Sequence, residues 1–276
     1  MQRFFKTLSY LPLRWAHVLG WLLGWLAFVL AGDYRRRFLA QARQAGMVAR
    51  QWRPAVGASG QLLAELPRLW LGAAVTVHWA GEHHVEQALA ARQGVLFLTP
   101  HLGCFEITAQ AYAQRYGAIQ PMTVLFRPPR HAGLRDLVTR VRARPGLHTA
   151  TTSLSGVRQL LRALRQGQSV GLLPDQVPPS GQGLWLPFFG RDAYTMTLAV
   201  RLAQQSGAVV LMAWGERLGA GQGFRVHVEP LAALSGQTRQ AASQINRAVE
   251  ALICKAPEQY LWGYARYKQP RQEARP

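Results

Sequence analysis

VLFLTPHLGCFE, residues 95–106, is the stretch on which the reading of this chain turns. Val95–Leu98 is a short apolar run, entered through Gly94 and stopped by Pro100, the pattern of a buried strand. His101 follows that strand directly, at the end where open α/β sheets place their chemistry. Glu106 falls five positions later, after a loop containing Gly103, in the expected first turn of a helix whose formers run over 107–116. A turn there can bring the carboxylate back onto the imidazole. A neutral imidazole accepts a proton from a hydroxyl, and a carboxylate on its other nitrogen fixes the tautomer and stabilises the imidazolium. The structural alternative is a loop histidine beside an acid that merely suits a helix N-terminus.

Outward from this stretch the same alternation repeats. MTVLFRP (122–128), SVGLLPD (169–175) and AVVLMAW (208–214) read as further buried strands, and FRVHVEP (224–230) as a partly exposed one. Helices are expected over 35–92 for the most part, then over 134–141, 157–164, 195–205 and Thr238–Lys255. Strands alternating with helices predict an α/β fold, a central sheet covered by helices. No internal repeat or long linker divides it. The expected organisation is an N-terminal segment, 1–34, followed by one domain, 35–276.

The N-terminal segment has its own character. Residues 15–32, WAHVLGWLLGWLAFVLAG, carry no formal charge beyond His17. With Leu11 to Leu13 the run approaches the ~20 residues a membrane helix needs. Arg3, Lys6 and Arg14 precede it, and Arg35, Arg36 and Arg37 follow. A cleaved signal peptide fits poorly, because the basic flank after the run opposes translocation. A membrane anchor is expected, with a buried core helix as the alternative. Basic residues on both sides suit an interfacial or re-entrant segment with the body on the cytoplasmic side.

Over all 276 residues, hydrophobic residues make up 49% and charged residues only 16%, which excludes disorder. Lys and Arg number 32 against 13 Asp and Glu, a net charge of +19 that calls for an anionic partner. Aromatics sit in apolar segments rather than among the arginines, so nucleic acid is not the expected partner. Cys104 and Cys254 form no disulfide framework, and Cys104 reads as a small buried hydrophobe. His83 and His84 are adjacent rather than four apart, which gives no helix-borne zinc pair. TTSLSG (151–156) lacks the Gly-x-Ser-x-Gly of a serine hydrolase.

Five ordered blocks carry a resemblance: HLGCFE (101–106), VLFRP (124–128), GLLPDQ (171–176), LPFFGR (186–191) and APEQYLWGYARYK (256–268). Together they resemble the late acyltransferases of lipid A biosynthesis, within the wider glycerolipid acyltransferase group that shares an H-x4-D/E motif. The resemblance implies a mixed central sheet covered by helices, an N-terminal anchor, and acyl transfer from an acyl carrier protein thioester to a hydroxyl of a lipid A precursor. It makes His101 the general base and Glu106 its partner. Arg127 is implied to hold anionic substrate groups, Asp175 to support the site or its arginines, and Arg142 or Arg144 to match the basic residues after the R-P segment. Gly190 and Arg191 are implied at a loop lining the acceptor or acyl groove, with Arg266 and Lys268 in a basic tail. No metal or redox cofactor is called for. The implied partners are an acidic carrier protein and an anionic membrane lipid, and the implied location is the cytoplasmic side of the bacterial inner membrane. PPRHAGLRD (128–136) departs from the family pattern, as do Phe126, Cys104 and Phe105. A lysophospholipid or another lipid acceptor is therefore the alternative, and non-catalytic binding of an anionic lipid the remote one.

Overall fold

A computed structural model of the protein describes residues 2–127, 138, 141, 142 and 144–272. Its centre is a seven-stranded sheet built from β1 (Val77–Ala80), β2 (Val95–Leu98), β3 (Met122–Phe126), β4 (Leu147–Thr151), β5 (Ser169–Leu172), β8 (Val209–Arg217) and β9 (Phe224–Pro230). The strand order is β1-β9-β8-β2-β5-β3-β4. Every neighbouring pair is parallel except β8 with β9. A separate antiparallel hairpin joins β6 (Gly183–Phe188) to β7 (Arg191–Met196).

The continuous apolar run of β2 has a direct cause. Parallel strands covered on both faces bury every side chain. Val95 and Phe97 pack under α6 (Glu82–Ala90) and α7 (Phe105–Tyr116), in one core with Val85, Ile107 and Tyr112. Leu96 and Leu98 point the other way, into a second core with α8 (Leu154–Arg165), α9 (Leu198–Ser206) and α10 (Thr238–Lys255). The expected α/β sheet covered by helices is therefore present.

Three segments differ from the sequence expectation. Within 35–92, VHWA forms edge strand β1 beside β9 rather than helix. LHTAT forms edge strand β4, where a half-polar pattern masks the strand. Thr195 belongs to β7, its side chain buried, and helix α9 starts only at Leu198. The helix expected over 134–141 falls largely outside the described residues.

The N-terminal helices are α1 (Gln2–Ser9), α2 (Leu13–Leu30), α3 (Gly32–Gln44), α4 (Ala49–Ala64) and α5 (Leu66–Leu71). Helix α2 is long and apolar enough to cross a membrane by length and composition. One face of it packs along α4 through Ala16, Gly20, Gly24 and Phe28. The approach is close because glycines meet glycines: a Cβ on Gly20 would stand 2.6 Å from the Gln61 Cα, and one on Gly60 would collide with the Gly20 carbonyl. Small residues four apart are the usual means of bringing helix backbones together. The opposite face exposes Trp15, Leu19, Leu22, Leu23, Leu26 and Leu30.

Candidate functional site

The parallel register of the sheet builds the site. Leu98 of β2 is paired with Leu172 of β5. Three residues beyond each stand His101 and Asp175, which places the two side chains side by side at the carboxyl end of the sheet. Asp175 uses both oxygens: Oδ2 accepts the His101 backbone N–H at 2.9 Å, and Oδ1 lies 2.8 Å from His101 Nδ1. With Nδ1–H donating to the carboxylate, Nε2 is left as the basic nitrogen, and the Gln176 side-chain amide sits 2.9 Å from it. Tyr260 donates to Asp175 Oδ2 at 3.3 Å. The imidazole lies edge-on to Phe105 and parallel to the Tyr264 ring, 6.3 Å away.

Asp175 is 3% exposed. Burial by itself would raise its carboxyl, but the charge of His101, the two hydrogen bonds from it and the charge of Arg266 together hold it below the ordinary value. Arg266 lies behind the site, fully enclosed, donating to the Tyr194 carbonyl and to Thr195 Oγ1 at 2.8 Å each.

Glu106 is placed differently from the sequence expectation. It does stand in the first turn of α7, but the two imidazole nitrogens meet Asp175 and Gln176 rather than its carboxylate. It is paired with Arg142 and accepts from Trp70 Nε1 at 3.3 Å. Helix geometry is the reason: α7 begins at Phe105, so Glu106 is carried round to the flank facing Trp70 and Arg142. The carboxylate on His101 is that of Asp175, which the sequence reading had assigned only a supporting part.

The loop joining His101 to α7 is tied down at each peptide. Leu102, Gly103 and Cys104 donate their N–H groups to Pro100, Gln259 and Gly215 carbonyls at 2.7, 3.0 and 2.7 Å. Gly103 has a φ of +60°, and a Cβ there would strike the Gly215 carbonyl, so glycine is required twice over.

His101 opens onto a groove of about 340 Å³. Arg127, Arg142 and Arg201 line it, and no acidic side chain does among the described residues. Phe126, Val157, Leu173 and Met196 supply apolar walls. Arg142 also lies over the Phe126 ring, 5.0 Å from its centre. The other expected residues are elsewhere. Arg144 ties the Leu69 and Trp70 carbonyls at 2.7 and 3.1 Å. Gly190, at φ +74°, occupies the tip of the β6–β7 hairpin, and Arg191 caps the Tyr267 ring from there. Neither lines the groove. Arg201 carries no distinguishing signal, being an ordinary arginine in a helix, whereas Gln176 lies in the GLLPDQ block with no part implied for it, and Tyr260, in the C-terminal block, reads from sequence as core packing or an interface anchor rather than as a partner of Asp175.

A mostly parallel sheet that presents a carboxylate-held histidine to an arginine-lined, apolar-walled groove defines an α/β protein whose site can accept a proton beside an anionic group. Residues 58–269 match the bacterial lipid A biosynthesis acyltransferase family, and the chain belongs to that family. It is 28% identical over 190 residues to the lipid A biosynthesis palmitoleoyltransferase of Escherichia coli K12, covering 68% of this chain and 60% of that relative. It is 29% identical over 185 residues to a lipid A biosynthesis acyltransferase of Haemophilus influenzae, covering 66% and 56%. It is also 26% identical over 191 residues to the E. coli K12 lipid A biosynthesis lauroyltransferase, covering 68% and 60%. The matches thus span about three fifths of the length of these relatives.

Proposed function

We propose that this protein is an acyltransferase that moves a fatty acyl chain from a thioester to a hydroxyl of a lipid A precursor, with His101 as general base. The observation that carries the reading is the Asp175-held imidazole, its Nε2 directed at a groove rimmed by arginines, in a chain of this family. The acceptor hydroxyl displaces Gln176 from Nε2 and gives its proton to that nitrogen. Its oxygen forms a bond to the thioester carbonyl carbon, and the tetrahedral intermediate expels the thiolate. The imidazolium then returns the proton to the sulfur, so histidine ends unchanged. Asp175, anionic throughout, stabilises the imidazolium between the two transfers.

The oxyanion calls for a donor facing the groove. The amides of residues 101–104 are all committed elsewhere, which favours the Arg142 guanidinium. Glu106, in this reading, acts by orienting Arg142. Arg127 and Arg201 suit phosphates of the acceptor. The donor is assigned to an acidic acyl carrier protein, steered by the charge of +19. The exposed apolar face of α2, flanked by Arg14, Arg35, Arg36 and Arg37, suits attachment to the cytoplasmic side of the inner membrane.

The test is direct. Full-length protein in detergent, given an acyl carrier protein thioester and a lipid A precursor, should release free carrier thiol and add one acyl mass to the acceptor. Transfer only to a lysophospholipid would replace the acceptor. No transfer to either would overturn the reading.

A further inference from the structure

We infer that Arg217 is a positioning residue for the His101 loop, held by Glu65 and linked through it to His17 on the apolar helix α2. The inference rests on the reading of His101 as the base. Arg217 ends β8 and is almost fully enclosed, and Glu65, at the α4–α5 junction, is completely so. Arg217 Nε and Nη2 meet the two Glu65 carboxylate oxygens at 2.8 Å each. The same Nη2 donates to the Gly103 carbonyl at 2.8 Å. His17 Nε2 lies 3.1 Å from Glu65 Oε2, so the carboxylate joins three parts of the chain.

Gly103 is gripped from both sides. Its carbonyl takes Arg217, and its N–H donates to the carbonyl of Gln259. The Gln259 side chain in turn closes on the Arg217 main chain, accepting its N–H at 2.8 Å and donating to its carbonyl at 3.3 Å. A buried ion pair of this kind adds little net stability over apolar residues of similar volume. Its particular contribution here is direction: a rigid guanidinium, fixed by a bidentate partner, aims one donor at the backbone two residues past His101. Burial would raise the Glu65 carboxyl, but Arg217 and His17 more than offset that and keep it below its ordinary value, so the clamp stays charged. Release of Gly103 would let the loop, and with it the imidazole, drift from Asp175. A misplacement of roughly 1 Å at a reacting group costs about 10²-fold in rate.

The loop contains its own reporter. Cys104 is completely buried, and burial together with the Glu65 charge pushes its thiol well above the ordinary value, whereas Cys254 is exposed. In the protein carrying Cys254→Ser, alkylation reads the exposure of Cys104 alone, and its excess over the rate set by global unfolding reads the opening of this loop. Arg217→Met is expected to label at Cys104 several-fold faster than the parent, and to lose about 10²-fold in kcat with KM within a few-fold. Arg217→Lys keeps a charge for Glu65 but loses the planar fork that meets Glu65 and Gly103 together, and should fall between the parent and Arg217→Met in both. A merely structural arginine would lower the melting temperature and speed labelling only as far as the lost global stability accounts for, while leaving the kcat of the folded fraction at its parental value, and that result overturns the inference. Should Arg217→Met not fold, Arg217→Lys decides: parental labelling and kcat refute positioning, and graded changes in both support it. If the parent itself transfers no acyl group, the proposed function fails, while the labelling arm still tests the clamp.

Discussion

Asp175 holds His101 by two bonds at once, one to the ring and one to the backbone N–H of the same residue. A carboxylate bonded only to the ring would fix the tautomer. One that also takes the main-chain amide fixes where the ring hangs from the chain. Asp175→Asn is therefore expected to leave the fold intact, because an amide oxygen can still accept one of these bonds, and to lower turnover by about 10²–10⁴-fold by failing to stabilise the imidazolium. His101→Ala should lose at least as much. Carrier-thiol release measured on both, with circular dichroism as the control for folding, checks this, and turnover within a few-fold of the parent would remove the pair from the chemistry.

Glu106 and Arg142 should behave as one unit, separate from His101 and Asp175. Glu106→Gln frees Arg142 without touching the imidazole, so kcat is expected to fall while the acidic limb of the pH–rate profile keeps its midpoint. Arg142→Lys, lacking the planar fork, should fall similarly. The double variant should lose little more than the worse single one, since contacting residues are non-additive. An additive double variant, or a displaced acidic limb in Glu106→Gln, would return Glu106 to the histidine.

The contrast between these two acids shows where the sequence was informative. The strand-then-histidine pattern was legible because burial on both faces leaves an unbroken apolar run, and helices over α7, α8 and α10 followed from their composition. Which carboxylate meets the ring was not. Glu106 is near in sequence, but helix rotation carries it away, whereas Asp175 is 74 positions distant and is brought in by the β2–β5 register. Edge strands β1 and β4 were missed because one partner each leaves their pattern half polar. Glu65 and Arg217, 152 positions apart, carry no local signal of each other.

Stability should fall in acid, and Glu65 should be one source. Its folded pKa is depressed below the ordinary value of 4.5. The contribution is therefore fully present above that value and is lost as pH falls through the lower folded pKa. Asp175 is depressed below 3.8 and adds in the same direction. Glu65→Gln, which cannot bind a proton in this range, is expected to be less stable near ~pH 7 but to show a shallower decline in acid. Thermal unfolding in detergent across that range measures it, and an unchanged slope would mean that Glu65 is not among the acids protonated on unfolding.

The α2–α4 seam and the first turn of α3 make predictions of opposite sign. Gly60→Ala would drive a methyl group into the Gly20 carbonyl. Overpacking of that kind costs about 1–3 kcal/mol. At Gly32, in the first turn of α3, the nearest atom to a new Cβ is the flexible Arg36 Nη1 at 3.8 Å, so Gly32→Ala should be neutral or stabilising by up to about 1 kcal/mol through helix propensity. Melting temperatures of the two variants would separate them, and equal effects would argue against tight packing along this seam.

The outward face of α2 gives the last test. Leu19, Leu22, Leu23 and Leu26 stand exposed on the side turned away from α4, each 40–55% accessible, a contiguous apolar surface of the sort that marks a membrane or protein contact. The inward face is packed, so charges placed outside need not disturb the body. If this surface lies in a bilayer, the parent should resist extraction by high salt, because hydrophobic burial is not screened, while attraction between its arginines and anionic headgroups fades within about 10 Å at 0.1 M salt. Leu22→Lys with Leu26→Lys is then expected to leave the melting temperature nearly unchanged and to convert the protein to one that salt washes from membranes. Turnover on bilayer-borne acceptor should drop further than turnover on detergent-dispersed acceptor, since the chemistry itself is untouched. Fractionation of both forms at low and high salt decides it: a double variant that stays salt-resistant would show that this face is not what holds the protein to the membrane.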